Sequence, residues 1–125
     1  SVNDHDKQNT IEIARDFQEM GFQIMATQGT TEVLRENGLI VQAIHKVNEG
    51  RPNVADHIKN GEIQLVINTP MGAIAREDEY SIGRAAIRYK IPVITTLSGA
   101  KTAIRGIRRL ALDDLTVNSL QDIFN

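Results

Sequence analysis

Short apolar runs alternate along this chain with longer stretches whose apolar residues recur every three or four positions. After a polar opening, Asn3-Asp4-His5-Asp6-Lys7, the residues Ile11, Ala14, Phe17, Gln18 and Met20 fall on one helical face that Gly21 ends. Asp4 or Asp6 is placed to cap its first turn. A strand is predicted over 22–26, a turn at Thr27-Gln28-Gly29-Thr30, and a helix over 31–37 closed by Gly38. A weaker strand follows at 39–44, then an irregular stretch with Asn48, Gly50 and Pro52, and a short helix over 54–59 stopped by Asn60-Gly61. Leu65-Val66-Ile67 is the clearest buried strand, ending at Asn68-Thr69-Pro70. A helix over 77–90, a strand over 92–96, a helix over 98–112 and a last short helix over 116–124 after Asp113-Asp114 complete the pattern.

Aliphatic strands alternating with helices predict parallel pairing through right-handed crossovers, a three-layer α/β/α domain with a mostly parallel central sheet. Neither a repeat nor a low-complexity linker divides the chain, so residues 1–125 read as a single domain. One irregularity is the first helix, which has almost no strand before it. Ser1-Val2 reads as the tail of a truncated first strand, and hints at a domain taken from something larger.

Composition narrows the chemistry. With 41% apolar and 24% charged residues, the chain has the balance of a folded globular domain. Fourteen basic against 16 acidic residues give a net charge of −2, which argues against a nucleic-acid or acidic-membrane partner. No apolar stretch reaches the roughly 18 residues of a membrane helix. The absence of cysteine excludes disulfides, thiolate metal sites and a cysteine nucleophile, and is compatible with a cytoplasmic location.

Ligands of open parallel sheets bind beyond the carboxyl ends of the strands, near helix N-termini. Small polar residues recur at those positions here: Thr27, Gly29 and Thr30 after one strand, Asn68-Thr69 after another, Thr95-Thr96-Leu97-Ser98-Gly99 after the last. Lys7 and Lys46 fall where their ammonium groups can neutralise a phosphate. Singly, each threonine reads equally as a helix cap and each glycine as a turn. Together, at strand ends that the topology gathers, they suit one phosphate-sized anion. Both the dinucleotide fingerprint and the Walker loop are missing. His5, His45 and His57 share no metal-ligand spacing and read as surface residues, so no metal is expected. Lys101, Arg105, Arg108 and Arg109 follow helical spacing and read first as a solvated face, second as a dock for an acidic neighbour.

The succession Asp6-Lys7, Gly21-Phe22, Ala26-Thr27-Gln28-Gly29-Thr30 and Asn48-Glu49-Gly50-Arg51-Pro52 resembles the methylglyoxal-synthase-like domain family, a Rossmann-like fold. Within it, Lys46-Val47 before Glu49-Gly50-Arg51-Pro52, the stretch 58–62, Ile67-Asn68-Thr69 and Thr95-Thr96-Leu97-Ser98-Gly99 are most similar to the C-terminal allosteric domains of carbamoyl-phosphate synthetase large subunits. The family's first strand precedes the position of Ser1. Such domains bind nucleotide monophosphates, UMP as inhibitor and IMP as activator, and ornithine acts at their edge. The resemblance implies nucleotide contacts from Lys7, Thr27, Thr30, Lys46 and Asn68, flanked by Gly29 and Thr69, and an ornithine-linked role for Thr95. It implies no catalytic residue and no cofactor in this domain. ATP, Mg and K belong to other parts of the parent ligase, which serves pyrimidine and arginine biosynthesis. Implied partners are the effector, the rest of the large subunit and the glutamine amidotransferase small subunit, with a homo-oligomer left open. Pro70 departs from the bacterial pattern, where a threonine helps hold the nucleotide.

Two related activities are the alternatives. A methylglyoxal-synthase-type lyase acting on dihydroxyacetone phosphate needs a carboxylate to move protons. The family's catalytic aspartate is replaced in Glu49-Gly50-Arg51, and a second aspartate by Thr69, leaving Asp4 and Asp6 near the anion site. An inosine-monophosphate cyclohydrolase module shares the Thr-x-Gly-Thr turn but not the Glu-Gly-Arg-Pro segment.

Overall fold

The computed structural model describes residues 1–70 and 77–124, with side-chain surroundings for 1–70 and 80–113. Its elements, in chain order, are α1 (Lys7–Glu19), β1 (Ile24–Ala26), α2 (Gln28–Glu36), β2 (Val41–Ala43), α3 (Val54–Lys59), β3 (Val66–Ile67), α4 (Glu77–Arg88), β4 (Val93–Ile94) and α5 (Leu97–Phe124). All described pairing is parallel, Ile24 opposite Val41 and Val66 opposite Val93, so the alternating pattern folds as an α/β domain.

Pleating sends alternate strand residues to opposite helical layers. Leu65, Ile67 and Ile94 pack against Ile13 and Phe17 of α1 and Ala100 and Ile104 of α5. Val66 and Val93 point the other way, onto Val54 and Ile58 of α3 and Ile82 and Ala86 of α4. Leu34 of α2 joins Ala14, Ala26, Leu39 and Val41. The buried stripe of α1 is Thr10, Ile13, Ala14 and Phe17, one step round from the predicted face. Gln18 instead donates to the Ile40 carbonyl at 3.1 Å. Past Gly21, whose φ is +96°, the chain reverses and Phe22 stacks edge-on against Phe17 at 5.4 Å.

The strands form two pairs, β1–β2 and β3–β4, rather than one continuous sheet among the described residues. Between β1 and β3 lies a mainly apolar cavity of about 670 Å³, walled also by Ile13, Ala14, Phe17 and Ile82. Ser1 is among the residues that line it. Its amine donates to the Ile67 carbonyl at 3.0 Å and its carbonyl accepts from the Thr69 amide at 3.1 Å, the slanted pattern of a parallel ladder expected of a strand tail.

The strands are shorter than predicted, and three helix boundaries differ from expectation. The α2 helix begins at Gln28, because the Thr31 amide already donates to the Thr27 carbonyl at 2.8 Å, so the expected turn is the helix's first turn. The α4 helix ends at Arg88: Lys90 takes φ +58°, and the Ile91 amide closes back on the Ala86 carbonyl at 2.8 Å. The two predicted terminal helices are one, since Asp113-Asp114 disfavours a helix interior only mildly and no Gly or Pro stands there to break it.

Candidate functional site

The predicted groups gather at the carboxyl ends of the strands. Thr27 is the N-cap of α2 immediately after β1, and Thr30 lies in that helix's first turn; both are buried. Asn68 and Thr69, also buried, follow β3 directly. Residues 1–3 lie between these two groups and bond to each. The Val2 amide approaches the Thr30 hydroxyl at 3.4 Å, and the Asn3 amide donates to the Thr69 hydroxyl at 2.9 Å. Lys7, the first residue of α1, reaches back to the Val2 carbonyl at 3.4 Å.

Lys7 also passes over the start of α2. A β-carbon built on Gly29 would stand 3.1 Å from Lys7 Cε and 3.5 Å from Nζ. Gly29 has ordinary helical backbone, so its value is space for the lysine rather than the special turn expected from sequence. The ammonium group therefore sits at a helix N-terminus whose first amides have no intrahelical acceptors. The Thr27 side chain makes no capping bond there.

Burial chiefly, then the charges of Lys46 and Lys7, push the pKa of the Ser1 amine down to about 5. Lys46 is positioned by a turn in which its amide donates to Glu49 Oε1 at 2.8 Å. Lys7, in turn, pairs with the Asp4 carboxylate. The Lys7 ammonium thus lies over the N-terminus of α2, beside Val2 and the Thr30 it approaches, an arrangement suited to an anion. The mainly apolar cavity between β1 and β3 is lined by Thr27 and Thr30 as well as by Ser1 and Glu62. Thr95 stays apart. It is exposed just after β4, on the strand whose Ile94 carbonyl accepts from the Asn68 amide at 2.9 Å. Its neighbour Thr96 caps α5, accepting from the Gly99 amide at 3.0 Å.

Sequence reading overlooked Asn3. Its Oδ1 accepts from the Asp6 amide at 2.9 Å while its Nδ2 donates to Asp6 Oδ2 at 2.8 Å and to the Pro70 carbonyl at 2.9 Å. Asp6 is the N-cap of α1 by position but makes no side-chain capping bond; Asn3 organises the turn before it. The Asn-x-x-Asp spacing was the available signal. Arg51 also has a local partner. It grips Asp56 through two bonds, at 2.7 and 3.3 Å, holding that carboxyl below its usual range. Asp56 and Asn53 form a reciprocal capping box at the start of α3, so the Glu-Gly-Arg-Pro segment is braced against the helix it introduces. His57 is buried rather than superficial, its Nδ1 2.7 Å from Glu62 Oε2. On α5, Lys101, Arg105, Arg108 and Arg109 are exposed as expected of a solvated face, and Arg108 meets Asp16 of α1 at 3.2 Å. Among the described residues, no group of three His, Asp or Glu converges to hold a metal, and no helix is long and apolar enough to cross a membrane.

The fold has a solved counterpart in methylglyoxal synthase from Elizabethkingia anophelis, with a TM-score of 0.68 over 83% of this chain and 73% of that one, at 16% identity. Over 98% of its length the chain is 48% identical to the carbamoyl phosphate synthase large chain, C-terminal section, of Methanopyrus kandleri, and covers 23% of that protein. It is 47% identical to the carbamoyl phosphate synthase large chain of Nostoc, again over 98% of its length, and covers 11% of it. The corresponding C-terminal section from Aquifex aeolicus is 45% identical over the whole chain, which spans 24% of that relative. Residues 9–95, from within α1 to the end of β4, match the MGS-like domain family model, and the chain belongs to that family.

Proposed function

We propose that the chain is the effector-binding domain of a carbamoyl-phosphate synthetase large chain, non-catalytic by itself, and that it takes the phosphate of a nucleoside monophosphate, UMP or IMP. The observation that carries this reading is Lys7 lying over the N-terminus of α2, next to the strand-end residues Thr27 and Thr30, with Asn68 and Thr69 after β3; Lys46 is assigned to the same site. Similarity to large chains across nearly the whole sequence supports the choice of parent enzyme. On this reading the lysines neutralise the phosphate and the α2 amides and threonine hydroxyls orient it. Ornithine acts at the exposed Thr95, just after β4 and apart from the nucleotide groups. The domain works in the cytoplasm, joined to the rest of the large subunit and, through it, to the glutamine amidotransferase small subunit.

Regulation follows if the nucleotide binds two conformations of the enzyme unequally. Calorimetric titration with UMP and with IMP tests the reading. Saturable binding of at least one, lost in Thr27→Val and Lys46→Met variants that still fold, is the expected result. No heat from either nucleotide, or binding indifferent to both substitutions, overturns it.

A further inference from the structure

Lys7 has an acidic partner within its own chain. Its ammonium is paired with the carboxylate of Asp4, three residues earlier, on the turn that leads into α1. The two partners differ in how they are held. The Lys7 side chain is only 18% exposed, fixed across Gly29 and bonded to the Val2 carbonyl, whereas that of Asp4 is 77% exposed. Within the binding reading above, on which this inference rests, an incoming phosphate must take over an ammonium that the protein's own carboxylate occupies.

We propose that Asp4 is an internal competitor for the anion site and lowers its affinity for any anion that must take over Lys7. A phosphate monoester carries about −1.5 to −2 charges at neutral pH with several acceptor oxygens, so it outbids one carboxylate for Lys7. Once displaced, Asp4 turns into solvent at small cost because it is mostly exposed, while Lys7 stays across the start of α2. Binding is weakened by the factor by which the Asp4 pair reduces the population of available Lys7.

Asp4→Asn retains the size of the side chain and removes its charge. An exposed pair of this kind contributes little, so UMP affinity measured by calorimetry should tighten about two- to fivefold. In a Lys7→Met background the same substitution should leave UMP affinity unchanged. Asp4→Ser, which cannot mimic an amide, should act in the same direction. Unchanged or weakened UMP binding in Asp4→Asn, or equal tightening with and without Lys7, overturns the inference while leaving the binding site itself standing. Failure of both the parent and the Asp4→Asn protein to bind UMP or IMP overturns the site, and this inference with it.

Discussion

The side chain of Lys7 lies across Gly29, so close that a methyl group added to the glycine would stand 3.1 Å from Lys7 Cε. Gly29 thus couples the first turn of one helix to the first residue of another, and its role can be separated from backbone conformation. Alanine suits a helix better than glycine by roughly 0.5–1 kcal/mol. Gly29→Ala should therefore leave thermal stability equal or slightly raised, while pushing the flexible lysine away and weakening UMP binding severalfold. A variant that loses stability but keeps its affinity would contradict this account; melting curves and calorimetry on one preparation decide it.

Asn53 satisfies the start of α3 through Oδ1, which accepts from the amides of Ala55 at 3.0 Å and Asp56 at 3.3 Å. Its Nδ2 also donates to the Gly50 carbonyl at 3.2 Å. Asn53→Ala should cost about 1–2 kcal/mol in urea unfolding. Asn53→Asp should recover only part of that, because it restores the acceptor but not the donor.

Lys90 holds a left-handed conformation, φ +58°, that a side chain disfavours by roughly 1 kcal/mol. Lys90→Gly should stabilise the protein by about that amount, less glycine's extra chain entropy, whereas Lys90→Ala should be near neutral. Both follow from denaturant midpoints at constant m-value.

The hydrogen bond from Arg51 lowers the pKa of Asp56 most, and the bond donated by the Asn53 amide lowers it further. A carboxyl with a depressed folded pKa stabilises the fold above its unfolded pKa of about 4, and loses that contribution as pH falls through the folded value. Arg51→Gln should accordingly be less stable than the parent at pH 7, with the gap closing below about pH 4. A gap that persists or widens in acid would show that Arg51 acts through packing instead.

Strand ends were legible in the sequence because each aliphatic run stops abruptly at small polar residues. Thr27, Asn68 and Thr69 all stand where that pattern puts them, and the parallel order follows from the alternation. What escaped notice depends on contacts that periodicity does not encode. Asn3 reaches Thr69 and Pro70 across more than sixty residues. His57 meets Glu62 only because the chain reverses after α3, where the Glu62 amide returns to the His57 carbonyl at 3.1 Å. Gly29 resembles a turn glycine until the position of Lys7 is known. Asp113-Asp114 resembles a helix start, yet in the middle of a good helix a mild penalty is overridden.

Residues 1–3 tie the two halves of the proposed site together, through the Val2 amide on the Thr30 hydroxyl and the Asn3 amide on the Thr69 hydroxyl. On the proposed reading, a ligand there rests on a segment that both halves share, so a shift of that segment is felt as a change in affinity and, by linkage, the ligand biases the segment with equal free energy.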